Sequence, residues 1–238
     1  MNLIDIHSHI LPEIDDGAES LEEALELLNA MKSQGITDVM ATPHFIAREH
    51  NLEEYLSAVN EAHERLIEAT KNSDLPNIYL GSEVYYFPGI GKSKAISLLC
   101  LNKTKYLLLE LASSDIDKYV LEDITNIRNN LDLIPIIAHI ERYSKEKGFR
   151  KLLKLIDNGV CLAQLNAGAL FLPSLKKAAY KLIKKGYISF IATDTHSVKY
   201  RPPMLSRALS AIETNLGKNY KVRLLQNLEA FQKEITKS

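Results

Sequence analysis

Two histidines, His7 and His9, close a short apolar run, LIDIHSH. In a β-strand successive side chains alternate between faces, so both imidazoles point one way and Ser8 the other. Two imidazoles converging at a strand end can bind one metal ion, and Asp15 and Asp16 in the next loop bring hard oxygen ligands close by. A lone His-x-His pair is weak, because two strand histidines are more often simply solvated. The same pattern recurs along the chain. VMATPH ends at His44, YLGSE at Glu83, YLLLE at Glu110, PIIAH at His139 and FIATDTH at Asp194 and His196, while VCLAQLN ends at Asn166.

His7, His9, Asp16, His44, Glu83, Glu110, His139, Asp194 and His196 are therefore the candidate metal ligands. They are too many for one ion and suit two or three. Imidazole and carboxylate without thiolate favour manganese, iron or zinc over magnesium or calcium, and Glu83 is a natural bridge. Clustered ions activate water and stabilise charge on a phosphoryl oxygen. Arg142, in HIERY, and Arg201, in HSVKYRPP, follow two of the ligand positions, and a guanidinium fork matches phosphate geometry. The plainer reading pairs each with a surface carboxylate such as Glu141. Arg48 is a third candidate for phosphate.

Other residues read more simply. His63 and His50 are expected to be satisfied polar residues. Of Asp15 and Asp16, either could belong to a helix-entry turn, and only one is expected to bind metal. Tyr85 and Tyr86 either line a pocket or pack in the core. The lysines at 176, 177, 181, 184 and 185 read as a solvated helix face.

Seven β-rich runs must position the ligands: LIDI, ITDVMAT, NIYLGSE, YLLLEL, LIPIIAH, VCLAQLN and YISFIAT. Between most of them lie amphipathic segments at Ser20–Gln34, Leu52–Lys71, Asp117–Asn130, Lys145–Asn158 and Leu175–Lys185, with further helices after Arg201. Ser20-Leu-Glu-Glu23 has capping-box spacing. Gly35, Gly159 and Gly186 suit helix C-termini. This alternation predicts a single α/β domain over residues 1–238 with parallel pairing and right-handed crossovers. A barrel related to the (β/α)8 type with one unit missing fits, against an open doubly wound sheet. In a barrel the strand ends gather on one face, where catalysis sits. A carboxylate such as Glu110 inside YLLLEL then needs a partner.

A net charge of −1 argues against a protein that coats nucleic acid or an anionic membrane. Cys100 and Cys161 sit in apolar contexts without CxxC spacing and read as reduced core cysteines, which fits the cytoplasm. Neither begins a Cys-x5-Arg phosphatase loop. No basic n-region opens the chain, and no apolar run is long enough to span a bilayer.

The segments DIHSHILPEIDDG, ATPH, GSEVYY, LLLEL, IIAHIERY and ATDTHSVKYRPP resemble the polymerase and histidinol phosphatase (PHP) superfamily. Within it the chain looks like the bacterial manganese-dependent protein-tyrosine phosphatases of capsule and exopolysaccharide operons. The resemblance implies a distorted (β/α)7 TIM-like barrel with three divalent ions, Mn2+ first and iron or zinc as alternatives. One ion would take His7, His9, Glu83 and Asp194. A second would take Glu83, Glu110 and His139, and a third Asp16, His44 and His196. Arg142 and Arg201 would hold phosphate. The implied substrate is phosphotyrosine on the tail of a bacterial tyrosine autokinase, and homo-oligomers occur among relatives. Rival readings are a PHP phosphoesterase acting on histidinol phosphate or a nucleotide, and a non-catalytic module that docks on the kinase.

Overall fold

The apolar runs become parallel strands. The computed structural model describes residues 3–112 and 116–236; residues 1–2, 113–115 and 237–238 of the expected domain lie outside the described residues. The strands are β1 (Leu3–Ser8), β2 (Ile36–Ala41), β3 (His44–Phe45), β4 (Asn77–Leu80), β5 (Glu83–Tyr85), β6 (Tyr106–Glu110), β7 (Ile134–Ile137), β8 (Leu162–Asn166) and β9 (Phe190–Ala192). They pair in the orders β1-β2-β4 and β3-β5-β6-β7-β8-β9, all parallel. The sheet follows chain order, without the reversal of a doubly wound sheet. Leu107, Leu108 and Leu109 are all buried, as in a parallel strand covered on both faces. At the far edges Ser8 bridges Thr195, with Asp194 N donating to His7 O at 2.9 Å and His9 N to Thr195 O at 2.9 Å. The result is a curled parallel sheet with its helices outside.

Two of the expected runs each split into two strands. Between β2 and β3 stands Pro43, which has no N–H for the ladder; its carbonyl instead accepts from Glu83 N at 3.0 Å and from the Tyr55 hydroxyl at 2.9 Å. Between β4 and β5 stands Gly81, where a Cβ would lie 2.5 Å from Leu101 Cδ2. Each break turns the chain so that His44 and Glu83 pair in register.

The helices are α1 (Leu21–Ser33), α2 (Leu52–Thr70), α3 (Lys118–Asn130), α4 (Phe149–Asp157), α5 (Pro173–Lys185), α6 (Leu205–Leu216) and α7 (Lys218–Ile235). Ser20 caps α1 by accepting from Glu23 N at 3.2 Å, while Glu23 reaches back to Glu19 N at 2.9 Å, one residue earlier than the usual box. The expected helix from Lys145 begins only at Phe149, because Gly148 has φ 90° and packs where a Cβ would lie 1.9 Å from Ile116 O. α5 starts two residues earlier than expected, with Pro173 at its first turn. Between β5 and β6 the crossover has short 3-10 turns in place of an α-helix, and Asp123 of α3 anchors it by accepting from Tyr86 OH and Gly89 N. α7 packs on β1 and β9, with Phe231 edge-on to Tyr106 and Phe190. No helix among the described residues is long and apolar enough to cross a membrane.

Candidate metal centre

The sheet brings all nine candidate ligands to the C-terminal ends of its strands. His7 and His9 face inward together, whereas Ser8 points away and donates to Met40 O at 2.8 Å. His7 Nε2 lies 3.2 Å from His9 Nε2, 3.1 Å from Glu83 Oε2 and 3.5 Å from Asp194 Oδ1. His9 Nε2 lies 3.3 Å from the same Glu83 oxygen and 3.5 Å from the same Asp194 oxygen. All four residues are buried.

A second group forms around Glu83 and Glu110. His139 Nε2 is 3.0 Å from Glu83 Oε1 and 3.3 Å from Glu110 Oε1. His44 Nδ1 is 3.2 Å from Glu83 Oε2 and 3.7 Å from Glu110 Oε2. The third group comprises His9, Asp16, His44 and His196. There Asp16 Oδ1 is 3.5 Å from His44 Nε2 and 3.3 Å from His196 Nε2. His44 thus stands between two groups, one ring nitrogen toward each. The chain leaves β7 and β9 through left-handed backbone at His139 (φ 32°) and Asp194 (φ 53°), a conformation that non-glycine residues hold only under constraint.

Partners behind the imidazoles decide which nitrogen is free. Gln164 Oε1 accepts the backbone N–H of His139 at 2.7 Å, so it is an acceptor and takes the Nδ1 proton of His7 at 3.3 Å. Asp15 accepts from His9 Nδ1 at 2.6 Å and also from His44 N and Gly17 N. Tyr143 OH donates to Leu111 O, leaving its oxygen to accept from His139 Nδ1 at 3.3 Å. His196 Nδ1 donates to Asp194 O at 3.1 Å. Each of these four rings therefore presents an unprotonated Nε2 to the cluster once a cation replaces any proton held there. Asp15, offered by the sequence as an alternative ligand to Asp16, here orients His9, while Gln164 and Tyr143 carry no role legible from strand-end spacing. A polar residue amid the apolar strand VCLAQLN was the available signal for Gln164.

The donor set fits divalent cations. Glu83 Oε2 and His196 Nε2 are buried and lack a hydrogen-bond partner among the described residues. Burial opposes protonation of His9, yet Asp15, Asp194 and Glu83 together hold its pKa well above the usual value. Burial likewise opposes His139, but Glu110 and Glu83 raise it to about 9. Burial and the neighbouring His9 lower His196 to about 4. The carboxylates stay ionised despite burial: the imidazoles hold Glu83 and Asp194 well below the usual range. Such a cage demands positive charge.

Arg142 and Arg201 both reach Asp194 Oδ2, at 2.8 and 2.5 Å, where Asn166 Nδ2 also donates. Asn166, the run end that broke the pattern, thus joins the same site. Both arginines line an open cavity of about 470 Å³ with His44, Glu83, Glu110, His139 and Tyr85. The alternative partner Glu141 is no surface carboxylate. It is buried, desolvation raises its pKa to about 7, and it forms no ion pair with a described residue. Arg48 is exposed and pairs with Glu49 at 3.0 Å. His63 sits 3.4 Å from Ile78 O, as a satisfied polar residue would. His50 accepts from Ile46 N and stacks on Tyr55, and it also lines the cavity. Tyr86 turns away to Asp123. Cys100 and Cys161 are free and buried.

Residues 3–231 match the family model for capsular polysaccharide synthesis, CpsB/CapC. The chain is 35% identical to CapC of Staphylococcus aureus over 216 residues, covering 86% of this chain and 81% of that one. It is 33% identical over 236 residues to the tyrosine-protein phosphatase YwqE of Bacillus subtilis strain 168, covering 95% and 90%. A crystal structure from the pair YwqE of Bacillus subtilis and CpsB of Streptococcus pneumoniae, described as unique metal-dependent tyrosine phosphatases, matches with a TM-score of 0.82. That match has 30% identity and covers 95% of this chain and 93% of the other. With the strand-end cluster, the curled parallel sheet and nearly the whole length shared, this chain belongs to the CpsB/CapC family of capsular polysaccharide synthesis proteins.

Proposed function

We propose that the chain is a metal-dependent protein-tyrosine phosphatase, a phosphoric monoester hydrolase that uses no cysteine nucleophile. One observation carries this reading. Glu83 Oε2, buried and without a hydrogen-bond partner, lies within 3.3 Å of nitrogens of His7, His9 and His44. His7, His9, Glu83 and Asp194 would hold one ion, Glu83, Glu110 and His139 a second, and Asp16, His44 and His196 a third. Manganese is the first choice for all three. Bound ions would supply a nucleophilic water at neutral pH and neutralise phosphoryl oxygens.

The chain's own residues do the rest. Arg142 and Arg201, tied together through Asp194, orient the phosphate at the cavity wall and offset its charge. Asp15, Gln164 and Tyr143 fix the imidazoles. The leaving phenolate has a pKa of about 10 and needs little help from an acid. Burial pushes both cysteine thiols up to about 12, so neither is a thiolate at neutral pH.

The same reading takes residues 1–238 as one domain, with the sheet closing as a distorted (β/α)7 barrel through the Ser8–Thr195 bridge. The substrate is phosphotyrosine on a bacterial tyrosine autokinase in the cytoplasm, and homo-oligomers are compatible with it. The test is phosphate release from a phosphotyrosine peptide and from histidinol phosphate, with manganese and after chelation. Manganese-dependent release favouring the peptide is expected. Preference for histidinol phosphate, or turnover that survives chelation, overturns the reading.

A further inference from the structure

The groove between α4 and α5 gathers positive charge that forms no ion pair among the described residues. Its volume is about 850 Å³. Lys145, Arg150 and Lys151 line one side, and Lys177, Lys181 and Lys185 the other. None of these six side chains makes an ion pair or hydrogen bond with a described residue, and Glu146 is the one acid lining the groove among the described residues. Phe149 and Leu182 give it an apolar element. Lys177, Lys181 and Lys185 recur every four residues, so they form one stripe along α5. Like charges at that spacing repel and slightly destabilise a helix. A merely solvated face gains nothing from aligning them, and the net charge of the chain is only −1.

The chain runs from the site straight into the groove. The groove begins at Ser144, two residues past Arg142. Because α4 and α5 follow β7 and β8, their N-terminal ends lie on the ligand-bearing face, and the groove descends from there. The stripe from Lys177 to Lys185 spans about 12 Å at 1.5 Å per residue. About four residues of extended peptide cover that length.

We propose that this groove docks an acidic segment of the protein substrate, flanking the phosphotyrosine held at the metal centre; this rests on the phosphatase reading above. The concave shape between two helices suits an extended peptide and not a flat bilayer. Five of the six cations are lysines, which act as point charges suited to Asp and Glu carboxylates, whereas paired phosphate recognition favours arginine forks.

The full chain, loaded with manganese, is assayed on two phosphotyrosine peptides of identical core, one flanked by six glutamates and one by a neutral Gly-Ser stretch. A KM about tenfold lower for the acidic peptide at low salt is expected, vanishing at high salt. The triple variant Lys177→Glu/Lys181→Glu/Lys185→Glu is expected to lose that preference with kcat on the neutral peptide unchanged. The Lys→Gln triple guards against misfolding and is expected to lose most of it. Equal KM values for wild type, or a preference retained in both triples, overturns the proposal. If wild type hydrolyses neither peptide, the phosphatase reading fails, and fluorescence anisotropy with an unphosphorylated six-glutamate peptide still decides the groove: lysine-dependent binding upholds it, and no binding overturns it. Lysine-dependent sedimentation with phosphatidylserine vesicles, or a lysine-dependent change in molecular mass, overturns it in favour of a bilayer or a second copy.

Discussion

Gln164 determines which nitrogen of His7 carries the proton. Its Oε1 is pinned as an acceptor by the His139 backbone N–H at 2.7 Å, and the same oxygen lies 3.3 Å from His7 Nδ1. His7 must therefore offer Nε2 to the cluster. Gln164→Met removes the acceptor at similar volume. Metal affinity, measured by competition with a fluorescent chelator, is expected to fall about 10–100-fold. Wild-type affinity in this variant would show that Gln164 does not set the His7 tautomer.

Gly17 stands where the loop carrying Asp15 and Asp16 passes β1. A Cβ there would sit 2.1 Å from His9 O and 2.6 Å from His9 Cβ. Gly17→Ala must push the loop off His9 and break its bond to Asp15. The expected outcome is loss of at least one bound metal with most of the turnover, at a melting temperature lowered by a few degrees. Full metal stoichiometry in Gly17→Ala would show that the loop can shift without cost.

Arg142 and Arg201 converge on one oxygen of Asp194. Each alanine variant is expected to lower kcat/KM about 10²–10³-fold, the scale for removing one preorganised donor to a developing anion. Because they share a partner, the double variant is expected to lose less than the product of the single losses. Full additivity in steady-state kinetics would argue that the two act independently.

The cysteines serve as a negative control for mechanism. With thiols near 12, about one in 10⁴ is ionised at pH 8. Iodoacetamide at that pH is expected to leave turnover intact, and Cys100→Ser/Cys161→Ser is expected to retain kcat if folded. Rapid inactivation that phosphate protects against would point to a thiol nucleophile instead.

Much of this site was legible because strand periodicity is simple. His7 and His9 had to share a face, and a residue ending a parallel strand had to lie on the common rim. What was not legible lay in how the chain leaves the strands. Pro43 and Gly81 look like ordinary turn residues in sequence, yet each divides a strand and sets His44 beside Glu83. Glu141 reads as a surface charge because it follows a strand end, but a 3-10 turn buries it. The choice between Asp15 and Asp16 depended on three-dimensional packing: Asp15 is used up by His9, His44 and Gly17, and Asp16 is left beside His44 and His196. The lysines of α5 showed their spacing in sequence, but the groove that gathers them with those of α4 required the fold.

The proposed role of Glu83 in joining ions into one hydrolytic centre is tested by metal content together with turnover in Glu83→Gln. The wild-type protein is expected to hold more than one equivalent of divalent metal and to release phosphate from a phosphotyrosine peptide, with chelation abolishing release and manganese restoring it. The variant is expected to lose at least one equivalent and to fall more than about 100-fold in kcat. A Glu83→Gln protein with full metal content and near wild-type kcat would show that Glu83 does not hold the centre together.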